Sequence, residues 1–464
     1  MSENSSTLEE ISRQAHTLPR VNHCLAAIVR KKILKGEDLF PDIFGISHEK
    51  RRFVEVLITG KGVLLTGEYG VAKTDLAKHL LGLINEYMAQ EAVYYVKRCP
   101  VQEDPAVLLN YMGDTQGRNA HFLPEPCPIC KKMIEDMKGD KARIQVARFE
   151  RIVEGRGFAR VQGGGDVLPE EIVGTYNLIK LAQIGDPFDP RVFEPGKIGQ
   201  SSRGLLFVDE IGKLPETAQH ALIQAAQESI VTPSKSRETF PVDFLLAATT
   251  NPMDEQYICG AVRDRLVSIK IPLVGIEDEI KIVQKEAERV SPAVYVPRIF
   301  LKLAVEIVRA LRTDEHLEMG PRTSINTALI GRSSALLEGK SIISFCNMKE
   351  GIYTAILGKA LFEDKTDIEK RIDDIFPAVA DYIARELDGL GLDEIVRAYR
   401  NTWGDDTKWS AKNVKQLITG EAETAELEKL AAWIYRFENI NKCNIHDVAS
   451  EYLCAYERGC DLHA

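Results

Sequence analysis

Three unbroken apolar runs punctuate the chain: Gly62-Val63-Leu64-Leu65-Thr66, Leu205-Leu206-Phe207-Val208 and Phe244-Leu245-Leu246-Ala247-Ala248-Thr249-Thr250-Asn251. Short apolar runs without alternation read as buried strands, and the second reads as a parallel strand covered on both faces. Between them the apolar positions recur at helical spacing. Val21, Leu25, Ile28, Val29 and Ile33 predict a helix over 21–36, ending near Gly36. Asp75 to Leu81 has helical spacing, and so does Pro215 to Ser229. Residues 276–315 and the segment from Gly320 to Gly339 are helical by the same criterion, and 341–464 is mostly so. There Ile368, Ile372, Ile375 and Phe376 recur at helical intervals. So do Val414, Leu417 and Ile418, and then Leu427, Leu430, Ala431 and Ile434, with a break at Gly404-Asp405-Asp406. Ala92 to Val96 reads as a second strand, and Ile230 to Val242 as a hairpin with a basic tip around Lys235 and Arg237. The pattern fades over 100–170, which therefore reads as an insertion, and residues 1–20 read as a loose polar start.

Composition narrows the class of protein. A chain of 464 residues has room for about three domains. Its net charge of −10 disfavours a nucleic-acid-coating role. No stretch approaches the roughly 20 apolar residues of a bilayer span, and the polar, acidic start is unlike a signal peptide. Nine scattered cysteines suggest a reducing cytoplasm and no structural disulfide.

The candidate chemistry sits at the ends of the apolar runs. After the first comes Gly67-Glu68-Tyr69-Gly70-Val71-Ala72-Lys73-Thr74, and then the helix. Strand, glycine loop and helix is the context of a phosphate-binding loop, whose backbone N–H groups and helix N-terminus cradle an anion. Lys73 would reach the β- and γ-phosphates and Thr74 would hold Mg²⁺. Ala72 departs from the pattern, since glycine is commonest there. The second run ends in Asp209-Glu210. Asp209 would share the Mg²⁺ shell with Thr74, and Glu210 would polarise the attacking water. Asn251, ending the third run, would position the γ-phosphate or that water. Arg263 and Arg265 follow, far from their own phosphate site if the sheet is wound as usual. Either could then act across a subunit boundary as an arginine finger. Arg322, beside Pro321 at a helix start, could touch nucleotide from a lid. Upstream, the apolar segment Phe40 to Ile46, with Ile43 at its centre, suits either an adenine slot or ordinary core packing.

The insertion carries a separate signal. Cys127-Pro128-Ile129-Cys130 supplies two thiols, and Cys99 and His121 are candidates to complete a four-ligand zinc site. The alternative is a set of thiols with no metal.

The ordered set Lys73, Asp209 and Glu210, Asn251, Arg265 and Arg322 resembles an AAA+ ATPase. More closely, the chain resembles the ATPase subunit of magnesium chelatase and its cobaltochelatase relatives, in the clade of MoxR proteins. The residues that carry this are the loop 67–74 with Ala72, Ile172-Val173-Gly174-Thr175, Phe193-Glu194-Pro195-Gly196, Arg203 to Glu210 and Gly320-Pro321-Arg322-Thr323-Ser324. The resemblance covers about residues 40–340. It implies an α/β fold: an AAA+ P-loop core with a parallel sheet over 37–275, interrupted by the insertion at about 100–170. A helical lid follows over 276–340. Outside the resemblance lie a helical extension over 1–36 and, by its pattern, a helical accessory region over 341–464, whose last hundred or so residues exceed the simple chelatase subunit. The resemblance further implies that Lys73 and Thr74 are Walker A and Asp209 and Glu210 Walker B. Asn251 would be sensor 1, Arg265 the finger and Arg322 sensor 2, with ATP and Mg²⁺ as ligands. The implied assembly is a hexameric ring in the cytoplasm, serving a chelatase subunit or a von Willebrand A-type partner. The implied function is a motor that drives remodelling of a partner complex, or a MoxR-like chaperone acting on a protein client. The stretch between Asn251 and Arg265 lacks the family's usual wording, which leaves Arg263 and Arg265 as alternatives.

Overall fold

The structure, a computed structural model, describes residues 5–12, 20–68, 70–91, 93–113, 125–290, 294, 296, 298–312, 319–339, 343, 345–357 and 365–388. The readings of Tyr69, His121 and the helical positions from Gly404 to Ile434 lie outside the described residues. The chain divides into two compact units, residues 1–68 with 72–272 and residues 69–71 with 273–464.

The first unit is built on a six-stranded sheet. Its five principal strands are β1 (Val63–Thr66), β2 (Gly157–Gln162), β3 (Gly204–Asp209), β4 (Phe244–Thr250) and β5 (Val267–Lys270). They lie in the order β5-β1-β4-β3-β2, and the short piece Val153–Glu154 pairs beyond β2. All four pairings among the five are parallel. Every residue of β1 is buried, and so are all but the last of β3 and all but the first of β4. That burial on both faces is why their sequences are continuous apolar runs. Helices Val21–Leu34, Ser47–Ile58, Lys73–Gln90 and Glu216–Glu228 accompany the sheet. Parallel register brings the C-terminal ends of β1, β4 and β3 to one edge, with Thr250 beside Thr66 and Ala248 beside Val208.

Two expectations change. The second strand of the main sheet is not Ala92–Val96 but β2, inside the supposed insertion. Tyr94–Val96 is a strand, yet it joins a separate antiparallel sheet with Gln145–Arg148 and Ser5–Thr7. The polar start is likewise ordered: Ser5–Thr7 pairs with that sheet, and Leu8 and Ile11 of the following helix are buried. Two apolar residues are too few to show a period, so this segment depends on long-range pairing.

The segments Ile172–Thr175 and Phe193–Gly196 turn out to be one feature. Gly174–Tyr176 and Phe193–Pro195 pair antiparallel. A Cβ on Gly174 would lie 2.5 Å from the Glu194 carbonyl oxygen, and one on Gly196 2.3 Å from the Gly174 nitrogen. Only glycine permits that approach. The expected hairpin near 230–242 also forms, with Ile230–Val231 against Phe240–Pro241.

The second unit is helical over its described residues: Ile276–Val290, Arg298–Arg312, Pro321–Leu337, Phe345–Leu357 and Lys365–Asp388. Phe300, Ile307, Ile352, Ile368, Ile372 and Phe376 share a core. On the helix Ile276–Val290 the fully buried Glu279 accepts from Arg309 at 2.8 Å, Arg312 at 2.9 Å and Ser324 at 2.7 Å. A buried carboxylate is tolerable only with such a set of donors.

Candidate functional site: a P-loop ATPase centre

The site forms where β1, β4 and β3 end. β1 runs into Gly67, and the chain re-enters helix at Lys73, the first residue of Lys73–Gln90. Ala72 precedes it in left-handed backbone, φ 61° and ψ 15°. That conformation explains why glycine is commonest there, because a Cβ costs about 1–2 kcal/mol in it. Ala72→Gly is therefore expected to stabilise the protein by about 0.5–1 kcal/mol, the strain relieved less glycine's extra chain entropy. Urea unfolding measures this, and an unchanged or lower midpoint would refute it.

The Lys73 ammonium donates to the Asn251 side-chain oxygen at 2.8 Å and to the carbonyls of Glu68 and Thr250 at 3.1 Å each. It also donates to the Gly67 carbonyl. Asn251 is buried, and its amide donates to Glu210 at 3.2 Å. Lys73, Asn251 and Glu210, drawn from three elements far apart in sequence, thus form one hydrogen-bonded chain. Glu210 is further held by Gln162 at 3.2 Å and Lys213 at 3.0 Å. Its own backbone is left-handed, φ 57°. Beneath it Gly163 makes room: a Cβ there would lie 2.0 Å from the Glu210 carbonyl oxygen. The glycine run 163–165 therefore begins against the paired acids.

Asp209 has two partners of its own. Its Oδ1 accepts from the Thr249 hydroxyl at 2.6 Å, and its Oδ2 from Arg160 at 2.6 Å. Thr249 also accepts from the Glu210 N–H at 3.0 Å, so one buried hydroxyl aligns both acids. Sequence reasoning missed Arg160, Gln162, Lys213 and Thr249. The alternating burial of β2, which faces Phe158 and Arg160 differently from Ala159 and Val161, was the signal for the first two.

Thr74 is half-buried in the first turn of its helix, Gly70 takes φ 82°, and Val71 is buried. Ile43 is buried, and its carbonyl accepts from Lys50 at 2.7 Å. Arg263 and Arg265 are exposed on Gly260–Arg265. Arg263 donates to the carbonyls of Glu255 and Gln256 at 2.8 and 3.2 Å, whereas Arg265 Nε meets the Gln227 side chain at 2.6 Å. Arg322 is exposed in the first turn of Pro321–Leu337, in the second unit. In the insertion, Cys99, Cys127 and Cys130 come together and are joined by Glu103, all four buried. Burial pushes the Glu103 carboxyl up to about 8.

A glycine loop at the end of β1, paired acids at the end of β3 and an asparagine ending the strand between them define a P-loop ATPase of the AAA+ class. Comparison with known families goes one step further: the chain belongs to the PrkA AAA domain family, which matches residues 4–301. It is 25% identical to the chaperone MoxR1 of Mycobacterium tuberculosis, over 55% of this chain and 70% of that protein. It is 24% identical to the magnesium-chelatase 38 kDa subunit of Acidiphilium rubrum, over 66% of this chain and 85% of that one. It is 22% identical to the ATP-dependent protease PrkA of Bacillus subtilis, over 53% of this chain but only 42% of the relative. The chain is an AAA+ ATPase related to chelatase subunits and MoxR proteins, with ATP and Mg²⁺ as the ligands of its class. Among the described residues no helix is long and apolar enough to cross a membrane.

Proposed function

We propose that this chain is a Mg²⁺-dependent ATPase motor subunit, resembling that of the chelatases, which uses hydrolysis to remodel a partner complex. The observation that carries the reading is the Lys73–Asn251–Glu210 chain of contacts, which ties a phosphate-seeking cation to a water-polarising carboxylate. The loop 67–74, including Tyr69, supplies N–H groups to the phosphates, and Lys73 turns from its carbonyl partners to them. Thr74 and Asp209 are the groups that would hold Mg²⁺, and Thr249 keeps Asp209 aimed. Glu210 takes a proton from the attacking water while Asn251 orients the γ-phosphate side. Ile43 contributes to the adenine slot, and Arg322 senses nucleotide from the lid of residues 276–340.

Arg265 acts on a neighbour's nucleotide within a hexameric ring. Arg263, which donates to two backbone carbonyls, is the alternative finger. The partner is a chelatase subunit or a von Willebrand A-type protein, residues 341–464 serve docking, and the setting is the cytoplasm. A zinc ion at Cys99, Cys127 and Cys130 is structural in this reading. A second reading, a chaperone acting on a protein client, is favoured by the match to MoxR1.

Loss of the Lys73 charge tests nucleotide binding. Lys73→Ala should weaken a fluorescent ATP analogue by about tenfold or more, because a charge-assisted contact contributes about 1.5–3 kcal/mol. Parent-like affinity would remove the loop from the reading.

A further inference from the structure

The cysteine cluster offers four ligands, not three. Cys99 follows the strand Tyr94–Val96, and Glu103 lies four residues on. Cys127 caps the helix Pro128–Asp136, and Cys130 sits in its first turn. One ligand atom from each residue falls in a group whose members all lie within 4.8 Å of one another. The four residues are 0–7% exposed.

The spacing suits a metal better than a covalent bond. Cys99 and Cys127 sulfurs stand 3.6 Å apart. Two thiolates about 2.3 Å from a tetrahedral ion are separated by about 3.8 Å, whereas a disulfide needs about 2.05 Å. The surrounding N–H groups are arranged for anionic ligands. The Cys130 N–H donates to Cys127 sulfur at 3.4 Å, and the Glu103 N–H to Cys99 sulfur at 3.3 Å. The Cys127 N–H donates to the Glu103 carboxyl at 2.5 Å. Donors of this kind orient and tune metal ligands.

We propose that Cys99, Glu103, Cys127 and Cys130 bind one zinc ion as a closed structural site, with Glu103 as the fourth ligand. Three thiolates and one carboxylate form a borderline-soft set that suits zinc over calcium or magnesium. Four protein ligands and full burial leave no position for water, so the ion is structural and not hydrolytic. It joins residues 99–103 to 127–130 across a sequence separation of 24 between Glu103 and Cys127, the kind of loop whose closure a cross-link stabilises. Pro100 and Val101, between two of the ligands, line one small cavity together with Phe193 and Pro195 of the 174–195 hairpin. The inference rests on the zinc reading of the three cysteines and is independent of hydrolysis.

The test uses the full chain purified without added metal. Elemental analysis should give about one zinc per chain, and native thiol titration should show three protected thiols released by chelator. With Co²⁺ exchanged into the site, thiolate-to-metal charge transfer should appear. Glu103→Cys should raise that absorbance by about a third, as four thiolates replace three. Glu103→Ala should lose zinc to a competing chelator at least about tenfold more readily. Zinc near zero, both as purified and after reconstitution, would overturn the whole site. Zinc held equally by Glu103→Ala, with no gain in charge transfer for Glu103→Cys, would overturn Glu103 alone and leave the three-cysteine reading standing.

Discussion

Glu210→Gln is expected to bind ATP as the parent does and to release phosphate at least about 10²-fold more slowly, the usual share of a general base. Glutamine keeps the shape of the side chain and one acceptor oxygen, enough to accept from Asn251 or from Gln162, which donate to the two Glu210 oxygens at 3.2 Å each. It loses the negative charge facing Lys213, a pair 22–40% exposed and therefore of small value to folding. What disappears is the ability to accept a proton from water. Single-turnover phosphate release with fluorescent-nucleotide binding on the same sample separates the two effects. Hydrolysis at the parent rate would show that Glu210 is not the group that activates water.

The second large effect belongs to Arg265. In the ring reading, Arg265→Ala leaves ATP affinity nearly intact and lowers turnover by about 10³–10⁵, the range for an arginine finger. Turnover per subunit should also rise with protein concentration. Mixing Arg265→Ala with Lys73→Ala protein should restore part of it, because some interfaces then pair an intact loop with an intact finger. The Arg265 side chain meets Gln227 and the Ala261 carbonyl, at 2.6 and 3.5 Å. Gln227→Ala is therefore a useful control that should perturb the finger's position far less than its removal. Full activity in Arg265→Ala, with constant turnover on dilution, would defeat the finger. Loss of turnover in Arg263→Ala alone would move it to that residue.

The parts of the fold legible in the sequence are those whose physics is local or strongly patterned. β1, β3 and β4 are buried on both faces, so their apolar runs announce them. The polar residues that close them, Asp209, Glu210 and Asn251, were readable for the same reason. β2 was not, because the partly exposed Arg160 breaks its apolar character and the segment lies among residues with little period. With it went Arg160 and Gln162, whose partners Asp209 and Glu210 are 49 and 48 residues away. The strand Ser5–Thr7 was invisible because its partner begins at Gln145. Glu103 was missed at the cysteines for a different reason. A carboxylate four residues after a cysteine has no distinguishing pattern until burial puts it among thiols. His121, the residue that the spacing put forward, lies outside the described residues.

Phosphate release from ATP by the purified full chain, with and without Mg²⁺, bears most directly on the central claim that the ends of β1, β3 and β4 hydrolyse ATP. The account predicts Mg²⁺-dependent release from the parent that falls at least about 10²-fold in Glu210→Gln, with parent-like ATP affinity, and falls in Lys73→Ala together with an affinity about tenfold or more weaker. Release at the parent rate in both variants, or release that ignores Mg²⁺, would contradict it.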